Sequence, residues 1–418
     1  MMRLRILAAP IALGVLLIGA CQSGGASRSA VAAEGRPDAV STATTAPLTV
    51  EGVKVAMTRV AEWQYAQYDP GTNLFNDDAS ADGHPQGWVY AVLHAGLAAH
   101  ARVANSAAEW DRLRAIAVRN RWGFAPRLYN ADDYAIGQLY LDLAEHFSDR
   151  SHMQTTEHRL RRILASPPAV DLTFVKSAEH EILDGRSWGI APCKDRWCWC
   201  DAIFMGPPVW MKLGKMTGDP RFVEFADAQF WASVDVLYDE DEHLFFRDSR
   251  YFEQREDNGA KVFWGRGNGW VIAGIARTLD ALPAEHARKS DYVALFRQMA
   301  ERLAELQTED GYWRSSLLAP ARHETPETSA AGLIVFALAW GVNNGYLDEA
   351  KFRPVIERGW HGLVRAVHPD GKLGWVQQVA SAPGSARYED TQLYGVGAFL
   401  MSGAEILDLL TAAQPVTP

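Results

Sequence analysis

The sequence contains a six-fold repeat in which a leading residue is followed five positions later by a glycine. The six pairs are Asp82/Gly87, Asp132/Gly137, Asp201/Gly206, Trp264/Gly269, Glu327/Gly332 and Asp390/Gly395. Five leading residues are acidic and one is aromatic, and successive leading residues are separated by 50, 69, 63, 63 and 63 positions. A step of this length accommodates two helices and their connections, so each repeat predicts one helical hairpin.

The helices predicted from the repeat alternate in character along the chain. Those that follow the glycines are apolar nearly all round, which is typical of helices buried among other helices; examples are residues 267–279, 328–342 and 392–407. The intervening helices have one polar face; examples are residues 109–120, 219–234 and 291–307. We therefore expect an all-α fold, an (α/α)6 barrel in which six helical hairpins close into a toroid.

This architecture places the leading residues together. The inner helices of such a toroid all run in the same direction, so their N-terminal ends meet at one mouth. We expect the six leading residues to surround a single pocket at that mouth.

The first 20 residues predict a signal peptide of the lipoprotein type. Arg3 and Arg5 precede an apolar run that is too short for a membrane span. Cys21 follows two small residues, as in a bacterial lipobox, although an ordinary signal peptide with an incidental cysteine would look similar. Residues 21–49 predict a flexible tether and residues 50–418 a catalytic domain. We expect an exported protein that touches the membrane only through a lipid on Cys21, in the periplasm or at the cell surface.

The net charge and the cysteine spacing restrict the partners and cofactors that we expect. The net charge is −10 and there is no basic stripe, which argues against nucleic acid as a partner. Cys193, Cys198 and Cys200 remain after Cys21, and in an oxidising compartment a Cys193–Cys198 disulfide fits a short loop best. Their spacing is not that of a zinc site. We expect neither a metal nor a diffusible cofactor.

Asp201 is the one acidic residue in the apolar stretch "WCWCDAIFMGPPVW". The inner helix is expected to begin near Met205, because the two prolines that follow are tolerated only in a first turn. Asp201 then lies on the entry turn among Trp197, Trp199 and Phe204. A helix N-terminus favours its charged form, whereas aromatic enclosure and a neighbouring carboxylate favour the protonated form, which could donate a proton. Capping of the helix by Asp201 is the alternative.

Asp132 and Asp133 open another inner helix, in "YNADDYAIGQLY". One is expected to face the pocket, and the other could cap the helix. A pair of carboxylates at a tryptophan-lined mouth is typical of enzymes that process glycosides.

The segment "FWGRGNGW" supplies Trp264, Arg266, Asn268 and Trp270 as candidate substrate-binding residues. Its glycines allow the backbone to approach a ligand closely. Aromatic faces stack on sugar rings, and a guanidinium binds a carboxylate through two hydrogen bonds. Trp199 is a further aromatic candidate.

Other candidates come from neighbouring segments. Arg247, in "FFRDSRYF", is a possible cation for the substrate, or a surface arginine paired with Asp248. Glu327 and Thr328, in "ETSAAG", offer polar groups at the same mouth, although helix capping alone would explain them.

Several motifs in the same order resemble glycoside hydrolase family 105, the unsaturated rhamnogalacturonyl and glucuronyl hydrolases, which are relatives of family 88. The motifs are "ADDYAIGQ", "WCDAIFMGPP", "FWGRGNGWVIAGIARTLDALP", "ETSAAGLIVFALAWGVNNGYLD" and "YGVGAFLMSGAEI". The resemblance implies an (α/α)6 barrel. It also implies removal of a 4,5-unsaturated uronic acid from the non-reducing end of oligosaccharides made by polysaccharide lyases.

The family's chemistry is hydration of a vinyl ether: an acid protonates C4, water adds at C5, and the hemiketal opens. Asp201 matches the family's general acid/base and Asp132 its second pocket aspartate, while Trp264–Trp270 matches its substrate-binding segment. Some members carry a histidine where this chain has the segment around Arg247. That departure places rhamnogalacturonan specificity in doubt and makes a sulfate or a second uronate a possible partner of Arg247.

Two other interpretations stay open at this point. One is a different (α/α)6 enzyme, such as a lyase or an epimerase. The other is a non-catalytic oligosaccharide-binding lipoprotein at the cell surface. The sequence leaves open the parent polysaccharide, the linkage, the neighbouring sugar and the oligomeric state.

Overall fold

Helices dominate the computed structural model of the protein, which describes residues 47–75, 84–174, 180–183, 186–189 and 191–412. In these ranges the α-helices are α1 (Val50–Ala66), α2 (Trp88–Val103), α3 (Ala107–Arg119), α4 (Ala131–Tyr134), α5 (Gly137–His146), α6 (Gln154–Ala165), α7 (Ala202–Met205), α8 (Pro207–Thr217), α9 (Pro220–Leu237), α10 (Gly265–Ala281), α11 (Lys289–Glu305), α12 (Thr328–Asn343), α13 (Glu349–Arg365) and α14 (Leu393–Ala412). The strands are β1 (Tyr68–Asp69), β2 (Leu74–Phe75), β3 (His180–Leu183), β4 (Arg186–Gly189), β5 (Tyr238–Asp239) and β6 (Leu244–Phe245).

The long helices form two concentric rings. The inner ring consists of α2, α5, α8, α10, α12 and α14, each packed against the next, and α14 closes the ring by packing against α2. The outer helices α1, α3, α6, α9, α11 and α13 alternate with them along the chain. The predicted all-α (α/α)6 barrel is therefore confirmed.

Burial distinguishes the two rings as the sequence pattern predicts. Every residue of α12 from Thr328 to Gly341 is buried, whereas α11 buries one face at helical spacing. In the described part of the chain, α14 is the one helix long and apolar enough to cross a membrane, but 83% of that span is buried inside the protein. Its composition is that of a core helix of the barrel.

Local signals fix where the helices begin and end. Gly218 ends α8 in the left-handed conformation, with φ of 73°, and Asp219 then caps α9 by accepting a hydrogen bond from the Arg221 amide. Pro207 begins α8, two residues later than the start predicted near Met205, because the preceding residues form the separate short helix α7.

Two β-hairpins with similar sequences follow outer helices, and the sequence analysis did not predict them. "YDPGTNLF" (68–75) and "YDEDEHLF" (238–245) pair in the same register, Tyr68 with Phe75 and Tyr238 with Phe245. Asn73 and His243 occupy matching positions, both at positive φ. The second hairpin leads directly into the segment that carries Arg247.

The predicted Cys193–Cys198 disulfide is present, with 5.6 Å between the two Cα atoms, and Cys200 is a buried free thiol. The predicted signal peptide, Cys21, most of the tether and Asp82 lie outside the described residues.

Close backbone contact between α2 and α14 closes the ring. A Cβ added at Gly96 would lie 2.5 Å from the Gly397 Cα, and one added at Gly397 would lie 2.2 Å from the Val92 carbonyl oxygen. Neither position has room for a side chain, because its neighbour is main chain that cannot rotate away.

We expect Gly397→Ala to destabilise the barrel by several kcal/mol or to prevent folding, because overpacking alone costs about 1–3 kcal/mol even where side chains can adjust. Gly269→Ala is the matched control on another inner helix, since its Cβ would meet Leu333 side-chain atoms at 3.2 Å and 3.3 Å. Urea unfolding of both variants checks this. Equal stability of the two variants would show that the α2–α14 contact is not the tight point of the ring.

Candidate active site

The described leading residues of the repeat lie at the starts of inner helices. Asp132 lies in α4 and Asp201 directly before α7, Trp264 and Glu327 directly precede α10 and α12, and Asp390 lies three residues before α14. Hydrogen bonds through one loop join three of these starts. The Gln377 amide donates to Glu327 Oε1, Trp264 Nε1 donates to Gln377 Oε1, and the neighbouring Val376 amide donates to the Asp390 carbonyl.

Asp201 presents a carboxylate that caps no helix. It occupies the N-cap position of α7 but accepts no hydrogen bond from the backbone of that helix. Its Oδ2 atom lies 3.4 Å from Arg247 Nε and 3.5 Å from the Cys200 thiol. The side chain is 13% exposed, so the carboxylate remains accessible at the mouth and the capping alternative is not supported.

Asp132 is the second open carboxylate. No described residue donates a hydrogen bond to its side chain, and Asn130 caps its short helix instead. Burial raises the pKa of Asp132 to about 6, against the lowering effect of Lys194, and the negative charge of Asp201 raises it further. The Asp201 carboxylate is thus close enough to Asp132 to contribute to this shift.

Asp133, by contrast, is turned into the protein. Its Oδ1 atom lies 2.5 Å from Arg127 Nη2, and its Oδ2 accepts from the Arg127 amide at 2.7 Å. Of the adjacent pair, Asp132 faces the site and Asp133 fixes a neighbouring loop. A direct bond from Asp133 to substrate would require this ion pair to break.

Arg247 bridges two carboxylates and is not a surface residue. Only 8% of it is exposed, its Nη1 donates to Asp248 Oδ2 at 2.7 Å, and its Nε faces Asp201. Burial lowers the pKa of Arg247, but Asp201 and Asp248 outweigh it and hold the pKa above the usual value. Arg250 also binds Asp248, so this carboxylate anchors both arginines.

Arg266 has a structural role that the sequence did not predict. It is 1% exposed, and its Nη1 and Nη2 donate to the Gln377 and Gln378 carbonyls at 2.6 Å and 2.9 Å. The guanidinium also lies over the rings of Trp264 and Tyr394. Arg266 therefore holds the loop at 377–378 in place, while its Nε has no hydrogen-bond partner among the described residues. Its predicted bond to a substrate carboxylate stays a prediction.

The other residues of this segment are also bonded within the protein. Asn268 accepts from the Phe245 amide and donates to the Phe245 carbonyl, which fixes the second hairpin. Trp270 is buried against Phe204 and Tyr394. Stacking of Trp264 and Trp270 on a sugar stays a prediction, because both indole rings are buried.

Glu327 performs the capping that the sequence offered as an alternative, whereas Thr328 bonds to a neighbouring loop. Glu327 accepts from the amides of Ser329 and Ala330 at the start of α12, and Thr328 Oγ1 donates to the Gly374 carbonyl. Trp199 is also buried. Direct substrate contact by these three residues stays a prediction.

Comparison with known proteins identifies the family. The model for Glycosyl Hydrolase Family 88 matches residues 56–410. The chain belongs to this family. The predicted resemblance to family 105 and its relative family 88 is confirmed, and so is the predicted activity of a glycosidase that removes an unsaturated uronic acid from oligosaccharides.

Two curated relatives that are more than 30% identical to this chain have the same name. An unsaturated 3S-rhamnoglycuronyl hydrolase of Alteromonas sp. (strain LOR) is 39% identical over 83% of this chain and 84% of its own length. A protein of the same name from Formosa agariphila is 34% identical over 78% of this chain and 85% of its own length.

Solved structures of this fold include a family 88 glycosyl hydrolase from Bacteroides vulgatus, 25% identical, with a TM-score of 0.73 over 86% of this chain and 99% of that one. A protein named as a polysaccharide lyase has the same TM-score at 27% identity, over 88% of this chain and 99% of its own.

Two residues of this family 88 site escaped the sequence analysis. Lys194 interacts with the charges of Asp132 and Asp201, and its Nζ lies 5.5 Å from the centre of the Trp199 ring. Its place next to Cys193, in a loop that a disulfide closes, was the available signal. Trp88 is a half-buried tryptophan at the start of α2, stacked on Tyr394 with 5.1 Å between ring centres. It is more exposed than Trp199, Trp264 and Trp270, the tryptophans that the sequence analysis selected.

A separate cavity of about 650 Å³ lies at the opposite end of the barrel, among the C-terminal halves of the inner helices. Its lysine and one of its arginines are neutralised locally, since Lys212 pairs with Asp142 and Arg102 pairs with Asp408. Neither Asp132 nor Asp201 lines this cavity, so the volume of a cavity is not enough to identify the active site. Among the described residues, no group of three or more His, Cys, Asp or Glu side chains could hold a metal ion.

We expect Asp132→Asn to stabilise the fold at pH 8, because the native chain there must keep a buried, ionised carboxylate whose pKa is about 6 in place of 3.8. This unfavourable contribution is absent below pH 4, where the carboxyl is neutral in both states; it grows between pH 4 and pH 6 and stays constant above pH 6, where the carboxyl is ionised in both states. A shift of this size corresponds to about 1–3 kcal/mol.

Thermal unfolding at pH 8 and pH 4 measures the difference. Asp133→Asn is the matched control and should destabilise the protein at pH 8, because it leaves the Arg127 guanidinium without its carboxylate. Destabilisation by Asp132→Asn at pH 8 would show that Lys194 and Arg127 outweigh burial.

Proposed function

We propose that this family 88 enzyme removes a 4,5-unsaturated uronic acid from a rhamnose that carries a sulfate at O3, with Asp201 as the proton donor. The observation that carries this is the pair of open carboxylates, Asp132 and Asp201, beside the buried cation Arg247. The names of the two curated relatives support the sulfated rhamnose.

Arg247 is placed to bind the carboxylate of the reacting ring. It contacts Asp201, and in the unsaturated uronate the carboxylate is attached to C5, next to the carbon that the acid protonates. This assignment replaces the sulfate or second uronate suggested by the sequence. When the substrate carboxylate draws Arg247 to itself, Asp201 loses part of its cationic partner, and this favours the protonated acid.

The two carboxylates then divide the chemistry. Asp201 gives its proton to C4, and the double-bond electrons form the new C–H bond, which leaves an oxocarbenium ion at C5. Water adds to C5 and gives up a proton to the carboxylate pair, in which Asp132 ionises at about pH 6 and can accept it. The hemiketal opens to a ketone at C5, and the hemiacetal left at C1 releases the neighbouring sugar. The net reaction consumes one water.

The direct test is the ultraviolet absorbance of the conjugated uronate in an unsaturated disaccharide. The native enzyme should remove this absorbance faster with 3-sulfated rhamnose than with the desulfated disaccharide. Asp201→Asn should lower kcat by about 10²–10⁴-fold with little change in KM, because asparagine cannot deliver a proton.

Asp241→Asn serves as the control, since this carboxylate is 91% exposed. Full activity in Asp201→Asn would move the acid role to Asp132. A rise in absorbance with an intact polysaccharide would instead favour the lyase alternative, to which one structural relative points.

The export proposal is separate from the chemistry. The first 20 residues and Cys21 keep the lipoprotein pattern on sequence grounds, so the enzyme would act at a bacterial membrane surface. Cys21→Ser should release the protein from the membrane fraction while kcat stays unchanged. An equal distribution of native protein and variant between membrane and soluble fractions would argue against the anchor.

A further inference from the structure

Lys194 is an ammonium group at the site with no partner of its own among the described residues. The described structure gives its side chain no hydrogen bond and no ion pair, and the nearest aromatic ring is that of Trp199. Lys212 is also partly buried, yet it holds Asp142 and Glu145 at 2.6 Å and 2.7 Å. A partly buried lysine that leaves its hydrogen bonds unmade is costly unless a ligand completes them.

Lys194 lies on a short turn close enough to Asp132 and Asp201 for their charges to act on it. It lies on the short 3₁₀ turn Pro192–Asp195, and its amide donates to the Ala191 carbonyl. Burial lowers the pKa of Lys194, with Asp132 as the strongest opposing charge and Asp201 a weaker one. The positive charges of Arg247 and Arg127 also lower the pKa of Lys194, so Lys194 lies in the same site as Arg247, which contacts Asp201.

The loop that carries Lys194 is fastened at several points. The Cys193–Cys198 disulfide closes it, and both cysteines are buried. Within the loop, Arg196 donates to the Val170 carbonyl at 3.0 Å, and Trp197 Nε1 donates to the Tyr134 hydroxyl at 2.8 Å. Tyr134 belongs to α4, the helix that carries Asp132. Lys194 is therefore held rigidly relative to the reacting groups.

We propose that Lys194 binds the sulfate of the sugar next to the unsaturated uronate, and that the Cys193–Cys198 disulfide positions it to do so. This inference rests on the proposed function and names the residue that recognises the sulfate. Arg247, beside Asp201, is assigned to the uronate carboxylate. Lys194 is then the cation that remains available for the sulfate.

The chemistry of the two cations fits this division. A guanidinium offers a planar pair of donors that matches a planar carboxylate, whereas an ammonium is a compact point charge with three rotatable donors, which suits a tetrahedral sulfate. A sulfate ester is ionised throughout the neutral range, so the contact does not depend on a proton of the substrate.

Kinetics with matched disaccharides test the assignment. Lys194→Met should raise KM for the 3-sulfated disaccharide by about ten- to hundredfold, the loss expected for a hydrogen bond between charged groups. It should leave KM for the desulfated disaccharide nearly unchanged, and Lys194→Arg should restore most of the loss. Lys215→Met is the control, because this lysine is exposed on α8.

Any other outcome would contradict the assignment of Lys194 to the sulfate. An equal loss with both disaccharides would show that Lys194 binds the uronate carboxylate, and no loss with either would show that it binds neither anion. Failure of the native enzyme to act on either disaccharide would instead refute the proposed function, and it is measured before any variant is made.

A second set of variants tests the disulfide. Cys193→Ser combined with Cys198→Ser should raise KM for the sulfated disaccharide, and adding Lys194→Met should cause little further rise, because both changes remove the same contact. Thermal unfolding identifies any variant that fails to fold, and Lys194→Met by itself then still decides the sulfate assignment. A native KM in a folded double-serine variant would refute the positioning role of the disulfide.

Discussion

Contact between the backbones of Gly96 and Gly397 closes the ring of inner helices, and the position of the site depends on this closure. Because the helices alternate strictly between the two rings, closure brings the starts of the inner helices to one end of the barrel. The carboxylates at 132 and 201 are 69 residues apart in sequence, yet Asp201 adds to the effect of burial in raising the pKa of Asp132. The closed ring of inner helices therefore brings residues that are distant in sequence to one site.

Within the mouth, most polar groups serve to hold other groups. Asp133 holds Arg127, Glu327 caps α12, and Arg266 binds two carbonyls of the loop at 377–378. What remains open to a substrate is a small set: Asp132, Asp201, Lys194 and a part of Arg247. An active site needs reactive groups that their neighbours hold in position. Here the hydrogen bonds and ion pairs of Asp133, Glu327 and Arg266 hold the segments next to the reactive groups.

The fold and the two central aspartates could be predicted from the sequence, because a repeat of 63 residues with apolar helices has few stable arrangements. The different roles of neighbouring residues could not be predicted. Asp132 and Asp133 are identical in type and adjacent, and only the structure shows that Arg127 takes the second. Likewise, a motif that contains Arg266 cannot show that its guanidinium binds carbonyls 111 and 112 residues further along the chain. Lys194 was missed because an isolated lysine has no pattern until its neighbours are known.

The paired β-hairpins have a consequence for how the cation and the acid are held. They precede the first and the fourth inner helices, so they stand half a turn apart around the ring and lend the frame an approximate two-fold character. Their sequences diverge immediately afterwards, since Phe245 is followed by Phe246 and Arg247, whereas Phe75 is followed by Asn76 and Asp77. The second hairpin and the Asp201 segment are joined through the main chain, because the Cys200 amide donates to the Arg247 carbonyl at 2.9 Å while Asn268 holds Phe245. The backbone that carries the cation is therefore tied directly to the backbone that carries the acid.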